Sequence, residues 1–417
     1  MFGFFTSLEK KMRANAENWL ELADKAWHYR RDQLTDSERK ELVARTEELR
    51  QSYKQRAEAA RLKLLIERLE PVLRRVGGKI YPKTTLIENV EFFLVAAIVI
   101  LGIRTYFVQP FKIPTNSMWP SYYGMTPEVY RKPEDAPGPL KRVMRFALLG
   151  ARHKELIAPE SGTVMVPVYV RATGAGGRLY FEKKPGRSWL IFPATNREYV
   201  FYINDTPVRI QVPEDFDFDW AFQEATGMSA EQLTAAAEQS RRGSDGYRWV
   251  ALEQPAQKGK PVVSFDILTG DQLFVDRFSN HFMRPQVGQG FVFRTGNIPD
   301  IAQSDGDQYY IKRLVGLPGD TLEIKGFTLY RNGQPIAGAR AFERNARRED
   351  HYTGYRNLGL LAEGQTVTVP RDAFFALGDN SANSRDGRFW GFVPAKDVIG
   401  RPLFIYYPFT KRWGPVR

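Results

Sequence analysis

The longest apolar run in the chain, residues 92–103 (FFLVAAIVILGI), separates two regions of different texture. Upstream of it, apolar residues recur at helical spacing: Leu62, Ile66, Leu69, Leu73 and Val76 make a stripe along one helix face. Residues 7–77 therefore read as helical, folding back as a hairpin packed on itself; a partner-binding arm is the sharper alternative. Thr6 with Glu9 and Thr35 with Glu38 have capping-box spacing, and Gly77-Gly78 supplies a stop. Pro71 lies inside the stripe and should kink the helix. Downstream of Val108 the apolar runs shorten and are broken by Gly, Pro, Asn and Asp, as in β-structure. Asn204-Asp205 and Asn332-Gly333 each sit between strand-like flanks, a strong hairpin signal. Residues 214–243 turn helical again, with Ser229 and Glu231-Gln232 near the start of a second helix.

The central run is too short by itself to cross a bilayer. Extended from Leu86 to Val108 it would reach roughly 35 Å as a helix, which suffices. Glu88, Glu91 and Arg104 lie near its ends, where side chains reach the headgroups; a buried helix of a soluble domain is the competing reading. Arg74, Arg75, Lys79 and Lys83 precede it with no acid in residues 71–85, which orients the N-terminus to the cytoplasm. The start, MFGFFTSLEKK, has too short an apolar patch for a cleavable signal peptide. The expected organisation is a cytoplasmic helical region over 1–84, a transmembrane helix over 85–108 and an extracytoplasmic domain over 109–417.

Composition narrows the chemistry. The 417 residues are 43% apolar, enough for two or three folded units at about 150 residues each. There are no cysteines, so disulfides, thiolate metal sites and cysteine nucleophiles are excluded. His28, His153, His281 and His351 show no ligand spacing, and no metal is expected. The net charge is +12, and half of it falls in residues 1–85, so membrane topology explains the basic character better than nucleic acid does.

Three separated motifs carry the candidate chemistry: Phe111-Lys-Ile-Pro-Thr-Asn-Ser-Met-Trp-Pro120, Tyr309-Tyr-Ile-Lys-Arg-Leu-Val-Gly-Leu-Pro-Gly-Asp320 and Gly378-Asp-Asn-Ser-Ala-Asn-Ser-Arg-Asp-Gly-Arg-Phe-Trp-Gly391. A serine hydroxyl needs a base, and no histidine lies near any motif; lysine is available if burial lowers its pKa from about 10.4. On a strand, Tyr310, Lys312 and Leu314 share one face and Arg313 points to the other. In order and position after an apolar segment, the motifs resemble the bacterial type I signal peptidases, Ser-Lys proteases that remove signal peptides. The resemblance implies Ser117 as nucleophile and Lys312 as base, with Thr115 and the Ser117 N–H stabilising the oxyanion. It further implies that Ser384 orients the lysine and that Asp386 and Arg388 form a supporting ion pair. Thr115 as a mere turn cap remains the plainer alternative.

The implied fold is mainly β, antiparallel coiled sheets of the signal-peptidase type, with one transmembrane helix and an N-terminal helical region. Localisation follows as the bacterial inner membrane, the partners as the lipid bilayer and preproteins with small residues at the first and third positions before the cut. No metal, organic cofactor or nucleic acid is implied, and the oligomeric state is left open. Two departures from the family pattern stand out. After Gly124-Met125 the expected Gly-Asp strand arrives only at Leu268-Thr-Gly-Asp271, so residues 126–267 read as an insertion, an α+β subdomain. Gln289-Gly290 also replaces a usual Gly-Asp. Rival readings are a specialised precursor peptidase, an inactive membrane-bound scaffold and a self-cleaving repressor; the apolar segment and the lack of a helix-turn-helix pattern weigh against the last.

Overall fold

A computed structural model describes residues 8–82, 85–170, 177–188, 192–240 and 246–416. The chain divides into two compact units, residues 1–101 and 102–417.

The first unit contains three packed helices rather than one hairpin: α1 (Leu8–Arg30), α2 (Asp36–Lys54) and α3 (Ala59–Val76). The extra break falls at a short 3-10 turn, Arg31–Gln33, just before Thr35 caps α2. The Thr35 side chain accepts from the Glu38 N–H at 3.4 Å while the Thr35 N–H donates to the Glu38 carboxylate at 2.9 Å, the reciprocal pair that spacing foretells. The Thr6–Glu9 pair and Lys83 lie outside the described residues. Leu62, Ile66, Leu69, Leu73 and Val76 are all buried, against Ala16, Ala23, Ala26, Leu42 and Leu49. α3 continues through Pro71 to Val76. α4 (Thr85–Tyr106) contains the one helix stretch among the described residues long and apolar enough to cross a membrane, Glu88–Tyr106. Phe92, Leu94, Val95 and Ile98 on it are exposed, so it is no buried core helix.

Two residues after α4 the second unit enters β1 (Val108–Lys112), followed by β2 (Thr126–Val129), α5 (Pro139–Leu149) and β3 (Arg152–Ile157). A sheet of six strands comes next: β4 (Val164–Val170), β5 (Gly177–Leu179), β6 (Glu182–Ser188), β7 (Phe192–Ile203), β8 (Thr206–Pro213) and, after α6 (Phe218–Thr226) and α7 (Ala230–Gln239), β9 (Arg248–Ala251). Asn204 takes φ of 51° between β7 and β8, as the hairpin signal requires. Ser229 and Gln232 form a capping box on α7, and Gly227 at φ 74° ends α6. The core here is aromatic, with Tyr199, Phe201, Phe216, Phe218, Phe222 and Phe265 fully buried.

β10 (Pro261–Leu268) pairs with β2 and β3, setting Thr126 opposite Leu268. The remaining strands include β11 (Gln272–Asp276), β12 (Gly290–Arg294), β13 (Tyr309–Gly316), β14 (Thr321–Lys325), β15 (Thr328–Arg331), β16 (Gln334–Pro335), β17 (Thr366–Thr368), β18 (Ala373–Leu377), β19 (Val393–Pro394), β20 (Val398–Tyr407) and β21 (Gly414–Pro415). β14 to β17 make a small sheet of their own. The main sheet runs β1-β11-β20-β12-β13-β18-β19, with β21 on β20, all antiparallel. The mainly β architecture with added helices matches the expected class, and the main sheet carries all three motifs.

Candidate active site

β1 leads into a tight loop that holds Ser117. Asn116 closes that loop: its Nδ2 donates to the Met125 carbonyl at 2.7 Å and its Oδ1 accepts from the Gly124 N–H at 2.9 Å. Met118 and Tyr122, both buried, stake the loop into the cluster of Ile113, Leu273 and Val292. Gly270-Asp271, distant in sequence, lies against the same loop. The Asp271 N–H donates to the Tyr123 carbonyl at 2.8 Å and its carboxylate accepts from the Tyr123 N–H at 2.9 Å. A Cβ on Gly270 would stand 1.8 Å from the Ile113 carbonyl oxygen, so only glycine fits.

Lys312 sits mid-strand in β13 and is 3% exposed. Its Nζ lies 2.6 Å from Ser117 Oγ and 3.2 Å from Ser384 Oγ. Loss of water around the ammonium pushes its pKa down to about 8; Asp386 and Asp379 oppose that shift and Arg388 adds to it. A neutral amine is thereby accessible near physiological pH.

The third motif grips the other two. Asp386 and Arg388, both buried, form a forked pair at 2.8 and 2.9 Å. Arg388 also donates to the carbonyls of Ser381 at 2.7 Å and Ser384 at 3.3 Å, which fixes the backbone presenting the Ser384 hydroxyl. Asp386 accepts from the Gly378 N–H at 2.9 Å. A Cβ on Gly378 would meet Ser384 Oγ at 2.1 Å and the Ser117 carbonyl oxygen at 2.5 Å, so this close approach again requires glycine. Asn380 completes the clasp, donating from its N–H to the Ser117 carbonyl at 3.1 Å and from Nδ2 to the Asn116 carbonyl at 3.0 Å.

Thr115 is exposed and lines the cleft in front of Ser117. Among the described residues no hydrogen bond takes up the Ser117 N–H or the Thr115 hydroxyl. The cleft encloses about 720 Å³. One wall is Phe111 to Ser117 and another is Tyr309 to Lys312; Arg178, Arg197, Asp215 and Asp217 from the stretch 126–267 line it too.

Residues 250–407 match the family described as signal peptidase, peptidase S26. The signal peptidase I of Bacillus licheniformis is 34% identical over 143 residues, 34% of this chain and 70% of that protein. The chain belongs to the type I signal peptidase family. A probable signal peptidase I-1 of Synechocystis sp. is 37% identical over 145 residues, 35% of this chain and 66% of that protein. This chain thus spans about two thirds of the length of the curated relatives it matches. A crystal structure of a signal peptidase I from Enterococcus faecalis V583 is 31% identical and aligns over 28% of this chain and 97% of its own, with a TM-score of 0.22. Lys312, Ser384, Asp386 and Arg388 fall inside the residues matched to the family, and Ser117 lies upstream of them.

Beyond what the motifs suggest, this signal peptidase fold buries a second charge pair behind the site. Arg313 does point away from Lys312, but into the protein: its Nε donates to Asp379 Oδ1 at 2.7 Å and its Nη1 to the Gly288 carbonyl at 2.6 Å. Ser121 bridges Arg313, Asp379 and the Tyr352 hydroxyl. The signal was there, since Arg313 follows Lys312 and Asp379 follows Gly378, so both partners were bound to lie one residue from the site. Gln289, in place of the usual acid, spends its backbone carbonyl on the Leu314 N–H at 3.0 Å and leaves the lysine untouched. Asp217 and Trp220 near the cleft had no sequence signal: Asp217 meets Asn383 at 3.5 Å, and Trp220 packs edge-on to Trp119 at 5.5 Å.

Proposed function

We propose that this family member is a membrane-anchored serine endopeptidase that removes N-terminal signal peptides from exported preproteins. The observation that carries the reading is the contact of 2.6 Å between Ser117 and a lysine amine that burial keeps from holding its proton firmly. Neutral Lys312 takes the Ser117 proton as Oγ attacks the scissile carbonyl, and the resulting ammonium protonates the leaving amine. In deacylation neutral Lys312 takes a proton from the attacking water and gives it to Ser117 Oγ as the ester bond breaks, which restores both groups. The unoccupied Ser117 N–H and the Thr115 hydroxyl are suited to receive the oxyanion. Ser384 holds the amine toward Ser117, and the Asp386–Arg388 pair holds Ser384.

An extended substrate fits the cleft because two strand edges are open there. Among the described residues, β1 pairs only with β11, and Tyr309–Lys312 pairs only with β12. A preprotein strand laid between them would exchange main-chain hydrogen bonds with both. We take α4 as the anchor, with residues 1–84 cytoplasmic and 109–417 outside, so enzyme and precursor share one membrane plane. Residues 126–267 are read as an insertion. Its share in lining the cleft favours, as a second reading, a peptidase specialised for particular precursors.

The test is cleavage of a model preprotein in detergent by the full chain. Ser117→Ala and Lys312→Met are each expected to lose cleavage while keeping the wild-type far-UV spectrum. Cleavage by either variant at near wild-type rate overturns the assignment.

A further inference from the structure

α5 is an amphipathic helix facing the wrong way for a protein in water. Leu140, Val143, Met144, Ala147 and Leu148 fall on one face of it. None of its residues is buried, and Leu140, Val143 and Met144 are 77%, 66% and 55% exposed. Its basic face does the docking instead. Arg145 donates to Glu128 and Asp266, each at 2.7 Å, and Arg142 donates to the Pro137 carbonyl at 2.7 Å. The C-terminal turn is fastened as well: the Tyr407 hydroxyl donates to the Phe146 carbonyl at 3.1 Å, and the Phe409 N–H donates to the Leu148 carbonyl at 3.1 Å. Specific polar bonds thus hold an apolar face outward, where it forgoes about 25 cal/mol for each Å² left in water. Something apolar has to cover it.

We propose that α5 lies in the interface of a lipid bilayer, with Leu140, Val143, Met144 and Leu148 at the boundary between headgroups and acyl chains. This rests on the reading of α4 as a membrane span. The main sheet connects the two helices: β1 begins two residues after α4, β1 pairs with β11 and β11 with β20, and α5 is fastened at the end of β20 level with the far end of β1, so the two helices mark the two ends of these strands. The same three strands carry other exposed aromatics at their ends. Where α4 enters, Phe107 stacks on Phe278 at 5.2 Å and Phe282 adjoins Phe278 at 5.0 Å; at the other end exposed Phe409 adjoins the C-terminus of α5, and Trp413, further along the chain, is exposed too. Rings of this kind favour the zone between headgroup and acyl chain. Exposed Lys141, next to the apolar face, and exposed Arg284 and Lys411 suit anionic headgroups. A bilayer that is already tethered by a span is met at high effective concentration, so a helix of this length suffices.

The absence of cysteine makes the test clean. Single substitutions Leu140→Cys, Val143→Cys and Met144→Cys are made in the full chain, with Val95→Cys in α4 and Gln334→Cys in a remote hairpin as references. Each is labelled with a small fluorophore and reconstituted into vesicles of phosphatidylethanolamine and phosphatidylglycerol that contain acyl-chain nitroxide lipid. The three α5 labels are expected to be quenched several-fold more than the Gln334→Cys label. α5 labels quenched no more than that reference overturn the proposal. If, in addition, they become shielded from aqueous iodide only at high protein-to-lipid ratio, a second copy of the chain covers the face. The reference in α4 separates the two readings: unquenched Val95→Cys defeats the anchor, whatever α5 does.

Discussion

The floor of the cleft and the wall that residues 126–267 contribute are built by different rules. Around Ser117 and Lys312 the charges are buried, paired and cross-linked, and two glycines sit where a single methyl would collide with the site. In the stretch 126–267 the core is a cluster of aromatic rings; Asp266 is buried with Arg145 and His153, away from the cleft lining, while the Lys183–Glu214 pair stands at the surface with side chains 64% and 33% exposed. The floor brings an amine and a hydroxyl to 2.6 Å and holds both through buried hydrogen bonds. The wall contributes only what it shows to the cleft. Chemistry that depends on geometry is therefore concentrated in the three motifs, and latitude is concentrated in the six-stranded sheet.

The sharpest way to break this contrast is to alter the base and leave the charge in place. Lys312→Arg keeps a cation in the site but cannot supply a neutral amine, since guanidinium remains protonated. Cleavage of a model preprotein should fall by about 10³-fold or more, as for loss of a catalytic base or nucleophile. In the wild type, the rate should rise with pH through about 8, because the lysine must lose its proton first. Substantial activity in the arginine variant, or a rate limb near pH 6, would defeat the assignment.

Stability should divide along the same line. Removing one partner of the fully buried Asp386–Arg388 pair, as in Arg388→Met, strands a carboxylate and should cost about 3–5 kcal/mol in urea unfolding. Lys183→Ala in the exposed pair should cost at most about 1 kcal/mol. Equal losses would mean that the two regions do not differ in kind.

Lys312 should itself be a burden on the fold. Its folded pKa lies below its unfolded value of 10.5, so below pH 8 the native state carries a charge that burial disfavours. Between about pH 8 and 10.5 Lys312 binds more protons in the unfolded chain than in the native one, so its own contribution to stability rises with pH. Lys312→Met should therefore be the more stable protein at pH 7, by on the order of 3 kcal/mol more than at pH 11. A difference between the two proteins that does not change with pH would show that the lysine is solvated in the native state.

Much of the floor was legible because its parts are local. Ser117, Lys312 and Ser384 are named by short motifs, and strand alternation alone turns Lys312 and Arg313 to opposite faces. Arg313 was legible in direction but not in partner, since its pairing with Asp379 depends on how β13 meets β18. The helical stripe of α3 announced its buried residues, whereas the break between α1 and α2 rested on Thr35, whose capping signal was also local. What could not be read was contact between distant segments. Nothing in the sequence near Asp217 or Trp220 says that they reach Asn383 and Trp119, because that depends on how a separate sheet is seated. α5 itself went unread in the sequence, and only the bonds of Arg145 reveal which of its faces is held.

The smallest effect is expected where the wall is removed altogether. Thr126 stands opposite Leu268 in the β2–β10 ladder, so the ends of the stretch 126–267 are one strand spacing apart, about 5 Å. A short Gly/Ser linker can join Met125 to Leu268 without moving either, the geometry in which inserted segments are tolerated. Ser117, Lys312, Ser384, Asp386 and Arg388 all lie outside the excised residues, and so do the Asn380 bonds to the Ser117 loop. Asn116 keeps both partners in that loop, Gly124 and Met125. What is lost is the Asp217–Asn383 contact, the Trp220–Trp119 contact, the bonds from Thr269, Tyr407 and Phe409 to α5, and the charged lining of the cleft. The deleted chain should therefore cleave a short peptide within a few-fold of the wild-type rate, while its ranking of full-length precursors changes. A deleted chain that folds yet cleaves no peptide would place the stretch inside the catalytic core. An unchanged ranking across a precursor panel would instead make the wall a passive addition.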